Sequence, residues 1–457
     1  MKNYTIVFLV LIVLAPFYSF SQCWTKVALG DYHTLAIKED GTLWAWGWNG
    51  FGQIGDGTNN IKTEPTQIGS DTNWTEISAN AAHSAALKTD GTLWCWGHNN
   101  YGQLGDNTNV NKNVPTQIGT DTNWTTIACG TNHTLGLKTG NSLWAWGRNY
   151  DGQLGNNTNS DTNIPINVGT TNSWQTITAG VNFSLAIQTN NALWAWGDAF
   201  YGAIGQVDGL SKNIPTQVGS SNSWTSISAT GYHVLATQIN NTLWAWGRND
   251  LNQIGNGSTA QVNVPQQIGA ATDWQKVSAG YHHSIAMKQD GTLWAWGWNF
   301  SGQLGIGNNT NSSAPVQVES DSNWQIIEAG GFQHTTAIKE DNSLWAWGLN
   351  SNYQLGNNNN NINFNYPIGV SCTSLATKIF DDNRFSIYPN PANSVLNIRN
   401  ENHLKIESLI IFDSFGKEIY QAKLNTSTIN IQNLQSGLYF VKLTSNGKTY
   451  HHKFIKQ

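Results

Sequence analysis

Six histidines recur at a near-constant interval. His33, His83, His133, His233 and His283 keep a 50-residue beat, and His334 follows one residue late. Imidazoles in such a series invite a metal ring, but a metal needs ligands that converge at short range. The fourth position of the series is Phe183, which favours a structural hydrogen bond over a metal centre, and no metal or other cofactor is expected. Asp31, Asp198 and Asp250 are candidate general acids and bases for a hydrolase or lyase acting on a glycan or peptide. They would need to approach within the separations glycosidases use, and they fall in different repeats. Gly50-Phe51-Gly52-Gln53-Ile54-Gly55 formally matches a dinucleotide fingerprint, yet no helix is expected after it, so its glycines read as turn chemistry. The stretches 55–60 and 357–361 are rich in Asn and Asp but lack the acidic spacing of a calcium loop. No nucleophile elbow, zinc-protease helix or phosphate loop is found. A non-catalytic protein is the expectation.

The element that carries these residues is a cassette. LWAWG begins at Leu43, Leu143, Leu193, Leu243, Leu293 and Leu344, and appears as LWCWG at Leu93; a second series is Trp24, Trp74, Trp124, Trp174, Trp224, Trp274 and Trp324. Seven copies fill residues 24 to 372, and a unit this small cannot bury its own apolar faces. Each copy reads as four short strands: in the first, A spans 24–29, B 33–37, C 42–46 and D 66–68 after Pro65. Asp40-Gly41 between B and C is a hairpin signal. Seven four-stranded units make an all-β, seven-bladed β-propeller. Of the 23 tryptophans, 21 occupy three fixed positions per unit. Alternation in Leu43-Trp44-Ala45-Trp46 puts large side chains on one face and small ones on the other, as interdigitating blades require.

Strand order then decides which variable residues share a face. With A and C running one way, and B and D the other, the A–B and C–D loops lie on one rim. The C–D loops vary at Trp48, Phe51, His98, Tyr101, Arg148, Tyr150, Asp198, Phe200, Tyr201, Arg248, Trp298 and Phe300, and the A–B loops add Asp31, Tyr32, Tyr232, Tyr281, His282 and Phe332. The expected ligand-binding set is a crown of Tyr32, Trp48, Phe51, His98, Tyr101, Arg148, Tyr150, Asp198, Phe200, Tyr201, Tyr232, Arg248, Tyr281, Trp298 and Phe300. Aromatic and Arg side chains with few Lys suit a protein interface, and flat rings also stack on sugars.

Charge and compartment narrow the partners. Residues 24–372 hold 12 Lys+Arg against 22 Asp+Glu, a net of −10, whereas residues 373–457 carry a net of +4. An acidic repeat region lacks the footprint for nucleic acid. The first 21 residues, with Lys2 before a short apolar run broken by Pro16, read as a secretory signal cleaved before Gln22. In an exported protein Cys23 and Cys372 flank the repeats, so a closed ring brings them together and a disulfide is expected. Cys95 and Cys129 replace cassette alanines and read as buried thiols.

Units such as AGYHHSIAMKQDGTLWAWGWNFSGQLGIG, Ala279 to Gly307, resemble repeats of the regulator of chromosome condensation family. That resemblance implies a seven-bladed propeller. The founder's role as a nuclear exchange factor for a small GTPase does not transfer, because the near-constant spacing leaves no room for its wedge-like insertion and the chain is acidic and exported. Secreted bacterial propellers of this kind include a proteinaceous β-lactamase inhibitor, which implies a rigid disc that binds a protein; a monomer is expected. After a linker at 373–382, residues 383–457 change pattern. Ile387-Tyr388-Pro389-Asn390-Pro391, Ile410-Ile411-Phe412-Asp413 with Phe415-Gly416-Lys417, Leu434 to Leu443 and Lys453-Phe454-Ile455-Lys456 indicate a small immunoglobulin-like β-sandwich. They resemble the C-terminal sorting domain of type IX secretion substrates. This implies an encounter with the type IX machinery, passage through the periplasm of a gram-negative bacterium, and release or attachment at its surface.

Overall fold

The computed structural model describes residues 23–359, 362–372, 385–400, 406–413, 417–422, 428–445 and 448–457. The expected signal peptide and linker, and Phe415-Gly416, lie outside them. The chain divides between Cys372 and Thr373 into two compact units.

In the first unit each repeat folds into one antiparallel sheet of order A-B-C-D. The first comprises Trp24–Leu29, His33–Lys38, Leu43–Gly47 and Lys62–Gln67. The seventh comprises Trp324–Gly330, His334–Lys339, Leu344–Gly348 and Phe364–Val370. Strand A of each sheet packs on strand A of the next, and the seventh returns to the first. The A strands therefore surround the axis and the D strands form the circumference. Strand D corrects the sequence expectation: it starts earlier and contains Pro65. Proline is tolerated because D is an outer edge, where a missing N–H removes no ladder bond.

The tryptophans act between blades as their alternation requires. Trp24 contacts Trp44 at 6.1 Å and Trp46 at 5.8 Å between ring centroids, so the three indoles make one face. The opposite face of the first blade, including Leu35, Leu43 and Ala45, packs against Trp74 and Trp96 of the second. Offset and edge-on ring contacts add to the burial of these large side chains. Lysines at the end of strand B lie over the indoles: Lys38 Nζ is 3.4 Å from the Trp44 centroid, and Lys88 and Lys138 repeat the contact.

The recurrent histidines join blades. Each is fully buried, and its Nε2 meets a Ser or Thr hydroxyl of the next blade: His33 to Ser84 at 3.0 Å, His133 to Ser184 at 3.0 Å, His334 to Thr34 at 3.4 Å. Those hydroxyls donate to the carbonyls of Gln53, Gln153 and Gln354, so Nε2–H is the donor to the hydroxyl oxygen. In the fourth blade Phe183 faces a neighbour whose hydroxyl position is Val234, and both are fully buried in one cluster. Both members of this pair are apolar where the other blades place a histidine and a hydroxyl.

The ring closes through a disulfide between Cys23 and Cys372, whose Cα atoms are 6.3 Å apart. Cys23 occupies the position before the first strand A that Asn73 holds before the second, and Cys23 N–H donates to Asn342 O across the seam. Cys95 and Cys129 are buried and free.

The second unit has two antiparallel sheets. One joins Phe385–Tyr388, Val395–Asn400 and Thr428–Asn430; the other joins Ser408–Phe412, Glu418–Ala422, Gly437–Ser445 and Lys448–Lys456. Leu396, Ile398, Leu409, Ile411, Val441, Leu443 and Phe454 form their shared core, which makes a β-sandwich.

Candidate binding face

The two variable loops of each blade are fastened to one another. Trp48 N–H donates to Tyr32 O at 2.8 Å, and the pattern repeats from His98 to Ala82 and from Arg148 to Asn132. The C–D loop is held by a fully buried Asn: Asn49 Nδ2 donates to Asp56 Oδ1 and to the carbonyls of Thr58 and Asn60, while its Oδ1 accepts from Ile54 N–H. Most blades repeat this staple, which accounts for the Asn-rich turns and fixes the backbone of the loop that carries Trp48, Phe51 and their counterparts. A rigid backbone beneath varied side chains is suited to recognition.

Rings from different blades meet in an arc. Phe200 lies 4.3 Å from Tyr201, Tyr201 5.3 Å from Tyr232, and Tyr232 5.9 Å from Tyr281. Phe332 stands 5.5 Å from Tyr281 and 6.0 Å from Tyr32. Tyr32 continues to Trp48 at 6.2 Å, Trp48 to Phe51 at 5.3 Å, and Phe51 to His98 at 4.6 Å. His282 attaches Trp298 at 5.3 Å, which stacks on Phe300. A second group sets the Arg148 guanidinium 5.3 Å from the Tyr101 ring and 6.0 Å from Tyr150. Tyr150, Phe200 and Phe300 are the outward members, 73%, 63% and 73% exposed. His282 and Phe332 stood outside the expected binding set, and they are the links that join its separate parts.

The fourth blade departs most from the pattern. Ala199 replaces the stapling Asn and Ala203 replaces Gln53 of the first blade. The loop forms a short 3-10 turn at Phe200–Gly202 in which Tyr201 adopts φ 62°. A left-handed tyrosine is sterically unfavourable and marks a position held by its surroundings. Its ring lies against Tyr232 and under Arg248, 5.1 Å from the guanidinium. Asp198, Phe200, Tyr201, Ser211, Gln261 and Asn263 line a groove of about 410 Å³ beside it.

The acids have different fates. Asp250 accepts two 2.7 Å hydrogen bonds from Arg248, and that bond holds its carboxyl below the usual range. Asp151 is raised by burial and then by Asp198 in the next blade. Burial pushes Asp31 up to about 6. Burial also pushes Tyr281 up to about 12, helped by Tyr232 and Asp31, and lowers His282 to about 4.

Residues 119–381 match the RCC1-like domain, residues 40–87 and 90–137 match the regulator of chromosome condensation (RCC1) repeat, and residues 386–457 match the secretion system C-terminal sorting domain. A 44-residue stretch is 43% identical to the ultraviolet-B receptor UVR8 of Arabidopsis thaliana, spanning 10% of each protein, so the chain covers about a tenth of that relative. Human WBSCR16 superposes with a TM-score of 0.65 at 18% identity, over 72% of this chain and 94% of that one. Prp20p of Saccharomyces cerevisiae superposes with a TM-score of 0.61 at 24% identity, over 67% and 80%. At these identities the structural likeness speaks to the propeller fold alone.

Proposed function

Since this chain belongs to the RCC1-like domain family and carries at its C-terminus a secretion-system sorting domain, which makes it a secreted or cell-surface protein, we propose that it is a binding propeller whose aromatic crown recognises a protein or glycan outside the cell. The observation that carries this reading is the arc of rings contributed by several blades and seated on hydrogen-bonded loops. Such a surface binds with little ordering cost, because its side chains are already held by one another. Tyr, Trp and Arg are the residues that dominate interface energetics. The reading treats the fold as a display frame, with no catalytic step.

The test is a pull-down from environmental and cell-surface extracts, paired with a glycan array. It compares the full mature chain with a variant carrying Trp48→Ala, Tyr101→Ala and Trp298→Ala. Capture by the parent and loss in the variant, with unchanged melting behaviour, is the expected result. Equal capture by both forms would move recognition off the crown. No capture by either would favour a structural surface module.

A further inference from the structure

At six of the seven blade junctions a backbone hydrogen bond ties the C–D loop of one blade to strand D of the next. Gly57 N–H donates to Asn113 O, Asn107 to Asn163, Asn157 to Asn213, Gly257 to Ser313, Gly307 to Asn365 and Asn358 to Thr63. Every one of these donors has a positive φ, between 54° and 82°. The corresponding residue of the fourth blade is Val207, and a β-branched side chain is disfavoured in that conformation. The loop takes its positive φ at Gly209 instead, at 64°. Among the described residues no such bond joins it to the fifth blade, and Val207 is 91% exposed.

A side-chain bridge is lost at the same place. Asn109, Asn159 and Asn309 each donate to a carbonyl of their own loop, that of Asn100, Tyr150 and Phe300. Each also accepts from an Asn of the next strand D, namely Asn163, Asn213 and Asn365. Gly209 holds that position in the fourth blade, and a Cβ built on it would meet nothing within 4 Å. Gly202 still presses on the fifth blade, where a Cβ would stand 2.6 Å from Asn263 Cα. The junction is therefore closed at Gly202 and open at Gly209, and both line the groove of about 410 Å³.

The opening leaves polar groups with unused capacity beside one ring. Asp198 Oδ1 accepts the Phe200 N–H at 2.9 Å, and its other oxygen has no partner among the described residues. Ser211 Oγ accepts the Ala199 N–H at 3.1 Å, which leaves its O–H to donate. Gln261 donates its amide to Asn263 Oδ1, so the Gln261 oxygen and the Asn263 amide hydrogens remain available. The groove thus offers both acceptors and donors, and no Lys or Arg lines it.

We infer that this groove is a subsite for a neutral sugar ring of a glycan. The assignment rests on the crown being a recognition face, to which Asp198, Phe200 and Tyr201 belong, and names what that face takes at the fourth blade. A sugar hydroxyl both donates and accepts, as the lining groups require, and the Phe200 ring supplies a flat apolar surface for the C–H face of the sugar. An anionic ligand would meet Asp198 with no cation to offset it. An extended peptide would have to pair with the outer edge of the fifth blade's strand D, Val262–Gln267, which Pro265 interrupts. The groove volume lies within the range of small-ligand sites.

The experiment is calorimetric titration of the full mature chain with maltotriose, cellotriose, mannotriose, xylotriose and chitotriose, with trigalacturonate and tetraglycine as controls. Saturable binding of at least one neutral trisaccharide is expected, about tenfold weaker in Phe200→Ala and in the double variant Val207→Asn with Gly209→Asn. The double variant gives the fourth loop the asparagines that the third has at Asn157 and Asn159, which restores both bridges and closes the groove. It should melt at or above the parent, so lost binding would not report unfolding. Phe200→Ala changes an exposed side chain and keeps the test decisive should the double variant melt lower. No saturable binding of any neutral trisaccharide, parent affinity retained in either variant, or tighter binding of trigalacturonate or tetraglycine would each overturn the assignment. Binding lost on closing the groove would support it even if the Trp48, Tyr101 and Trp298 variant captures as the parent does, so the subsite and the crown fail separately.

Discussion

The histidines show how burial decides a residue's chemistry. As a series they have the composition of a metal ring, yet each spends its one donor on a hydroxyl of the next blade. Burial lowers His33, His83, His133, His233, His283 and His334 to about 3. An unfolded histidine titrates near its ordinary value of about 6.5. Below that value the unfolded chain takes up protons that the folded chain refuses. The contribution is therefore complete above about pH 6.5 and is lost progressively as pH falls toward 3. Copying the fourth blade gives a direct test: His133→Phe with Ser184→Val should fold and lose roughly one sixth of the histidine-linked acid sensitivity. Urea midpoints at pH 7 and pH 4.5 would measure it, and a variant as acid-sensitive as the parent would refute the linkage. Phe183 in the sequence already argued against metal. The hydroxyl partner was not legible, because it lies about 50 residues away and only the ring brings it near.

At the scale of the element, the seam is the point where the repeat is interrupted. Six blade junctions are spanned by continuous backbone from strand D to the next strand A, and the seventh is spanned by the disulfide. Elsewhere Lys88 and Lys138 grip Asp71 and Asp121 of that connection, each at 2.6 Å. At the seam Lys38 instead donates to the Cys372 carbonyl at 2.8 Å. All seven sheets are built from contiguous chain, so no strand is exchanged to latch the ring. Cys23→Ser, or reduction, should therefore destabilise the propeller by up to about 5 kcal/mol through the freed unfolded chain. Calorimetry of the two forms would show it, and matching melting temperatures would assign closure to packing alone. The cysteines' flanking positions made this pairing legible. Strand D was less legible, since a proline-containing edge strand has little hydrophobic alternation.

At the scale of the whole molecule, the chain combines an RCC1-like propeller with a C-terminal sorting domain. Ending the chain at Cys372 removes the sorting domain, and the prediction is a propeller that accumulates in the periplasm without appearing in the medium or at the surface. Cell fractionation with immunodetection would check this, and normal export of the shortened chain would contradict it. The sequence by itself determined the blade count, the four strands per blade, the inter-blade role of the tryptophans and the rim that carries the variable loops. Those features follow from local period and from repetition, which are written along the chain. Only the tertiary structure decided which variable residues touch: that Phe332 joins Tyr32 to Tyr281, and that Arg248 is consumed by Asp250. These contacts cross blades, and the first and last blades meet only when the ring closes. Their geometry is set by closure and by a single extra residue in the seventh repeat, whose direction no local pattern records.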